Sequence, residues 1–419
     1  MSREFGGNRT VVDDERIVNA EQIHPRDFSW RLWPLVPLYP YGRRRTIRKE
    51  VLKDTIWNFD QIQGIFYVVV PIRMTVVKLQ TGGLLVYAPV APTLECIRLV
   101  NELVAEHGNV KYIILPTVSG LEHKVFVGPF ARYFSTAQVF VAPNQWSFPL
   151  NLPLSWLGLP AKRTQLLPED SSKTPFADEF DYAMLGPINL GSGRFAEVAF
   201  FHKRSHSLLV TDSVLSIPED PPAIVQLDPY PLLFHAKDNA CDIVTDIQAN
   251  RRKGWGRICL FALYFKPSGL EIRPWGKVFQ DALKASERSK KAYFGLYPFK
   301  WQDWQRSFEA LRGNGRLFVA PILQTLILNR APKETIEWAD KVASWDFEWI
   351  IPCHFDAPIK AQPYQFRQAF SFLEKQPSFG AGVFNSNTYP LPEEDFKTLK
   401  EIDVSLNKFS IVPPAKEKV

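Results

Sequence analysis

Apolar residues along this chain fall first into short, β-branched runs and later into stretches with helical spacing. Residues 65–70 and 72–79 predict strands, and Gly82-Gly83 turns the chain into a third at 84–88. Thr93 predicts the N-cap of a helix with Ile97, Val100, Leu103 and Val104 on one face, and Gly108 stops it. Strands at 111–115 and 138–141 flank a short element at 125–133. Residues 195–201 and 207–211 read as paired strands around a Lys203-Arg204-Ser205 turn.

The stretch 218–231 is proline-rich loop, and 235–300 shows no assignable period. In the last third, Asp303 predicts a cap for a helix with Trp304, Phe308 and Leu311 inward and Gly313 at its end. Pro332 opens another through Ile336, Ala339 and Val342. Residues 347–351 read as a strand, and Phe366, Ala369, Phe370 and Leu373 mark a further amphipathic helix. Strands followed by helices, with the alternation returning near the end, predict two sheets packed together and covered by helices. The organisation expected is an aromatic and proline-rich extension over 1–63, a folded domain over 64–380 and a tail over 381–419.

Composition changes this picture little. At 419 residues and 46% hydrophobic the chain can bury a large core. The four cysteines (Cys96, Cys241, Cys259, Cys353) form no C-x-x-C pair, which excludes a zinc ribbon and suits a reducing, cytoplasmic or plastid-type compartment. Cys353, beside His354, reads as a buried inert thiol before it reads as a nucleophile or ligand. The net charge of +6 gathers at Arg43, Arg44, Arg45, Arg48, Lys49 and at Arg251, Arg252, Lys253, Arg257. Neither cluster carries a base-reading signature, so a solvated face or a peripheral membrane contact is expected, and sequence-specific nucleic-acid binding is not. No secretory signal is visible, and prolines break the longest uncharged stretch, 133–161. The aromatic extension (Trp30, Trp33, Tyr39, Tyr41) and the loop with Trp146 and Trp156 read as packing surface, or as contact surface for a small-molecule or protein partner.

The candidate chemistry lies where apolar runs end. Lys111-Tyr112-Ile113-Ile114-Leu115-Pro116 leads to Glu122-His123, Ser207-Leu208-Leu209-Val210-Thr211 ends at Asp212, and Trp349-Ile350-Ile351-Pro352-Cys353 ends at His354. Strands that hand ligands to the loops beyond their ends can build one site on a rigid sheet, and imidazole with carboxylate suits zinc, iron or manganese. The alternative is that these are hydrogen-bonded polar corners. His202 and His206 flank a basic turn and read as exposed loop residues.

In its order of features the chain resembles the metallo-β-lactamase superfamily, an α/β fold built as an αββα sandwich. The carrying segments are "G-G-L-L-V-Y-A-P" (82–89), "Y-I-I-L-P" before the histidine loop, "S-L-L-V-T-D-S" and "I-I-P-C-H". More narrowly it resembles a domain-of-unknown-function branch found in cyanobacteria and chloroplasts. The resemblance implies Asp212 as the bridging carboxylate, His354 as the late ligand and His123 as the remnant of the first ligand loop. It also shows departures. Val118 and Gly120 stand where two histidines of that loop would be, and the 186–191 segment lacks the middle histidine, for which Glu197 or His202 could substitute. The expectation is therefore one divalent metal, zinc or iron, held by His123, Asp212 and His354, with Glu122 as base or orienting group of a hydrolase. Iron-dependent redox chemistry, or a non-catalytic binding or assembly role in a phototroph, remain open beside it.

Overall fold

Alternation of side chains along each strand sorts the residues of this protein into three cores. In a computed structural model, which describes residues 15–16, 24–35, 37–118, 122–145, 152–191, 193–375 and 391–419, eight strands form one sheet in chain order. They are β1 (Glu15–Arg16), β2 (Ile47–Leu52), β3 (Ile56–Ile65), β4 (Val68–Lys78), β5 (Leu84–Tyr87), β6 (Val110–Leu115), β7 (Gln138–Val141) and β8 (Thr164–Leu166). Leu84 and Val86 face outward into a core shared with helices Leu94–His107 and His123–Tyr133. Leu85 and Tyr87 face the other way, into the space between the sheets. The period of two thus assigns each residue its layer.

The second sheet contains β9 (Phe180–Asn189), β10 (Arg194–His202) and β11 (Ser207–Val210). A separate hairpin, β12 (Leu270–Ile272) with β13 (Phe299–Trp301), precedes its last members, β14 (Trp349–Pro352) and β15 (Ile359–Lys360). Phe200 and Leu209 point between the sheets, whereas Ala199, Phe201, Leu208 and Val210 point to a helical layer that includes Gln248–Tyr264 and Pro332–Ala343. The layers run helix, sheet, sheet, helix, the αββα order expected from the sequence.

Several details differ from the sequence reading. The first sheet begins well before residue 64, because Ile47–Leu52 and Ile56–Ile65 are strands. Their buried Asn58, Gln61 and Gln63 disguise that pattern. Pro71 does not divide two strands but lies inside β4; β5 pairs only with Thr75–Lys78, so the Pro71 end of β4 needs no N–H on that side. Asp303 precedes its helix in a left-handed conformation without a side-chain cap, whereas Thr93 does cap, accepting from the Cys96 N–H. The unassigned 235–300 stretch holds the 17-residue helix Gln248–Tyr264, whose fully buried Trp255 and Arg257 blur its amphipathic signal. The tail contains helix Lys397–Lys408, docked through Leu399.

The basic clusters are largely consumed by the fold. Arg44 is buried with Nη1 on the Ile62 carbonyl, Arg45 pairs with Glu95 and Arg48 with Glu102. Arg251 pairs with Asp246, Arg252 with Asp220, and Lys253 and Arg257 with Asp238. Among the described residues no helix is long and apolar enough to cross a membrane.

Gly254 sets the approach of helix Gln248–Tyr264 to helix Tyr230–Ala236, since a Cβ there would lie 1.9 Å from the Leu232 carbonyl oxygen. Gly254→Ala should therefore destabilise by about 1–3 kcal/mol, although helix propensity alone would favour alanine by roughly 1 kcal/mol. Gly276→Ala, where a Cβ meets nothing within 4 Å, should instead stabilise. Urea unfolding of the two variants should give opposite signs.

His235 supplies a pH test. It is fully buried, its Nε2 lies 3.1 Å from the Phe66 carbonyl oxygen, and burial pushes its imidazole down to about 4. An unfolded histidine titrates near ~6.5, so the unfolded chain binds the extra proton between the two values. The contribution is complete above that upper value and is lost as pH falls towards the lower, with about 3 kcal/mol at stake. His235→Gln should flatten the stability profile across this window in urea titrations.

Candidate metal centre

Parallel pairing of β11 with β14 matches Val210 with Pro352, so the chain leaves both strands side by side. Two residues further along each, Asp212 and His354 meet: Asp212 Oδ1 lies 3.1 Å from His354 Nε2. Glu122 arrives from the other sheet, at the head of helix His123–Tyr133, and its Oε2 lies 3.3 Å from the same nitrogen. One ligand atom from each of these three residues lies within 4.8 Å of the others.

The tautomer of His354 follows from its second nitrogen. Nδ1 lies 2.8 Å from the Pro71 carbonyl oxygen, which can only accept, so Nδ1 carries a proton. Nε2 then faces two carboxylate oxygens, an arrangement that requires a proton on Nε2 or a cation in its place. Burial works to lower the His354 pKa, but Glu122 and Asp212 outweigh it and hold the ring well above its ordinary value. For Glu122, burial works upward and is outweighed by His354, so its carboxyl stays below the usual range. The donor set of two carboxylates and one imidazole, with Nδ1 held by a backbone carbonyl, fits a single divalent ion.

Each of the three side chains has its own support. Glu197, on β10, accepts from the N–H groups of Thr211, Asp212 and Ser213 and from the Ser213 hydroxyl, at 2.8–3.0 Å, which fixes the loop that carries Asp212. Burial, then Asp212, pushes the Glu197 carboxyl up to about 7, while these donors pull it down. Arg73, on β4, donates to the Pro352 carbonyl at 2.7 Å and the Phe355 carbonyl at 3.0 Å, one on each side of His354. Its other bonds go to Asp60, its cross-strand neighbour on β3. Gln63 Nε2 donates to Glu122 Oε1 at 3.0 Å.

His123 stands outside the three-residue group. It opens the helix that Glu122 precedes, and successive residues there point apart; its ring turns back so that Nδ1 lies 3.0 Å from the Pro89 carbonyl oxygen. Nε2 is buried without a hydrogen-bond partner, and burial lowers the ring's pKa, which keeps that lone pair free. Glu122, expected as base or orienting group, thus occupies the third place expected of His123. Glu197 does not substitute for the missing histidine but braces Asp212. His202 is buried rather than exposed, with Nδ1 2.6 Å from the Ser205 hydroxyl, and His206 bonds the Asp346 carbonyl. Cys353 is buried and its thiol pushed well above its ordinary pKa, chiefly by burial, so it remains a thiol. Gly120 and Trp146 lie outside the described residues.

The supporting residues were hard to find by sequence. Arg73 is the lone charge in the apolar run 68–77, and Gln63 and Asp60 interrupt the preceding strand. A charge in such a run was the available signal.

Fold and site together define an αββα protein with a cluster of side chains that could hold a cation where the two sheets meet. The chain belongs to the family described as a domain of unknown function (DUF4336), whose model matches residues 53–372. No match was found among curated proteins. Among solved structures the chain is similar to a flavo di-iron protein mutant from Thermotoga maritima, at 8% identity and a TM-score of 0.38, over 80% of this chain and 64% of that one. It therefore spans less than two thirds of that protein's length. A metallo-beta-lactamase from Pontibacter korlensis is similar at 9% identity and a TM-score of 0.35, over 78% of this chain and 99% of that one. These are distant likenesses, and no chemistry is carried over from them.

Arg73→Ala should leave Asp60 uncompensated and free both carbonyls beside His354. The expected loss is about 3–5 kcal/mol in urea unfolding. Arg73→Lys keeps the charge but not the fork, and should recover only part of it.

Proposed function

We propose that this protein is a divergent metallo-β-lactamase-like hydrolase working with one divalent cation, zinc or iron, held by Glu122, Asp212 and His354. The observation that carries this reading is the protonated Nδ1 of His354 on the Pro71 carbonyl, which turns the Nε2 lone pair towards two carboxylates. Three protein ligands that keep some exposure to solvent suit a catalytic site with an open position better than a closed structural one.

A resident zinc or iron would supply Lewis-acid polarisation of a substrate oxygen. The remaining work falls to the chain. Pro71 and Arg73 hold the His354 ring and its loop, and Glu197 holds the backbone under Asp212. Glu122 is tied through Oε1 to the neutral Gln63 amide and faces His354 through Oε2. With burial outweighed by His354, Glu122 lies below the usual carboxylate range and stays ionised, which suits it to holding an ion and orienting what binds there rather than to returning a proton.

A second reading is a non-catalytic binding or assembly protein of a phototroph. Val118, where the resemblance calls for a histidine, supports it, as do the half-exposed Trp33 and Tyr41 of the N-terminal segment, which suit a small-molecule or protein partner. Iron-dependent redox chemistry would use the same ligands. Four unpaired cysteines support a reducing, cytoplasmic or plastid-type compartment.

Elemental analysis of protein purified without chelator should find one zinc or iron per chain, absent from both Asp212→Ala and His354→Ala. His123→Ala should retain the ion, and β-lactam hydrolysis should be weak or absent. Two ions per chain would sink the single-ion reading. No ion in the wild type would leave the binding or assembly role as the better account.

A further inference from the structure

Helix Trp275–Leu283 turns one apolar face to the protein and another to solvent. Val278 and Ala282 are buried against the body. Trp275, Phe279 and Leu283 are 60%, 58% and 72% exposed. A spacing of four places them in one stripe, and the Trp275 and Phe279 rings lie 6.0 Å apart. Cys241 Sγ contacts the Lys284 carbonyl at 3.3 Å, and Ser286 Oγ donates to the Asp242 carbonyl at 3.0 Å. These contacts bring Ile243, 87% exposed, to the end of the helix. Scattered apolar side chains on a surface need no explanation, but an aligned stripe does.

Charge indicates what covers it. Residues 273–291 contain six basic and two acidic side chains, a net of +4 within a chain of +6. Arg273 and Lys277 are both taken up by Asp281, and Lys291 Nζ sits 3.9 Å from the Tyr230 ring centroid. Lys284, Arg288 and Lys290 are exposed and make no ion pair among the described residues. They follow directly on the stripe, unlike most of the cations of the two sequence clusters, which the fold has paired.

Size argues against a protein partner of ordinary affinity. The four side chains, Ile243 included, expose on the order of 550 Å², about two thirds of the roughly 800 Å² per partner in a specific interface. A lipid surface needs no matching contour, and a short amphipathic helix lying in the interface plane is a known way to meet one.

We propose that this face docks on an anionic lipid surface. Trp275, Phe279, Leu283 and Ile243 enter the boundary between headgroups and acyl chains, while Lys284, Arg288 and Lys290 meet anionic headgroups. The proposal is independent of the cation site.

Flotation of the 419-residue chain with vesicles tests it, using phosphatidylcholine alone and equal parts phosphatidylcholine and phosphatidylglycerol. Wild type should float with the mixed vesicles and bind phosphatidylcholine at least about tenfold more weakly. Phe279→Ser with Leu283→Ser should lose about tenfold or more on the mixed vesicles. Neutralising Lys284, Arg288 and Lys290 to glutamine should weaken that binding about a hundredfold at low salt. All five positions are exposed, so melting temperature and metal content should match wild type. Failure of wild type to float, or equal binding by the serine variant, would overturn the proposal. So would a wild-type dimer in light scattering that the serine substitutions dissolve, because the stripe would then belong to a second copy.

Discussion

The guanidinium of Arg73 joins the two sheets at the point where Glu122, Asp212 and His354 meet. It rises from β4 of the first sheet, is neutralised by Asp60 on β3, and spends its remaining donors on two carbonyls of the loop after β14 in the second. A buried ion pair contributes little net stability, because desolvation offsets most of its attraction. Its value here is directional. A lysine could carry the charge but could not reach an aspartate and two carbonyls with fixed angles.

Around that fork the site is over-supplied with negative groups. Glu122 and Asp212 face one imidazole with Glu197 bracing the backbone behind Asp212, while Arg73 is already balanced by Asp60. Backbone N–H groups relieve Glu197, and an amide relieves one oxygen of Glu122. The oxygens facing His354 Nε2 have no such relief beyond the ring itself. The deficit of positive charge is therefore localised on those two oxygens, beside which an ion would sit with the least rearrangement.

How much of this was legible in the sequence depended on how each residue acts. Asp212 and His354 announce themselves because each ends an apolar run, and parallel pairing of those runs brings them together. Layer order was legible for the same reason, since alternation in segments such as Leu84–Tyr87 survives in the sequence. Glu122 and His123 could not be separated, because adjacent residues at a helix start diverge by a rotation that no spacing reveals. The bracing groups were hidden more deeply. Pro71 and Pro89 contribute only carbonyls, Gln63 sits in a strand masked by buried polar residues, and Glu197 appeared as a ligand candidate when its partners are backbone amides.

The hairpin of β3 and β4 carries a further consequence. Within it lie Asp60, Gln63, Pro71 and Arg73, joined by a turn at Phe66 and Tyr67 and paired residue for residue from Ile56↔Val77 to Ile65↔Val68. Adding or removing one residue at that turn would offset these groups from one another and turn one strand's side chains to the opposite face. Surface turns usually absorb length changes freely. This one acts as a ruler, so homologous chains that keep the site should hold its length constant while their other connections grow and shrink.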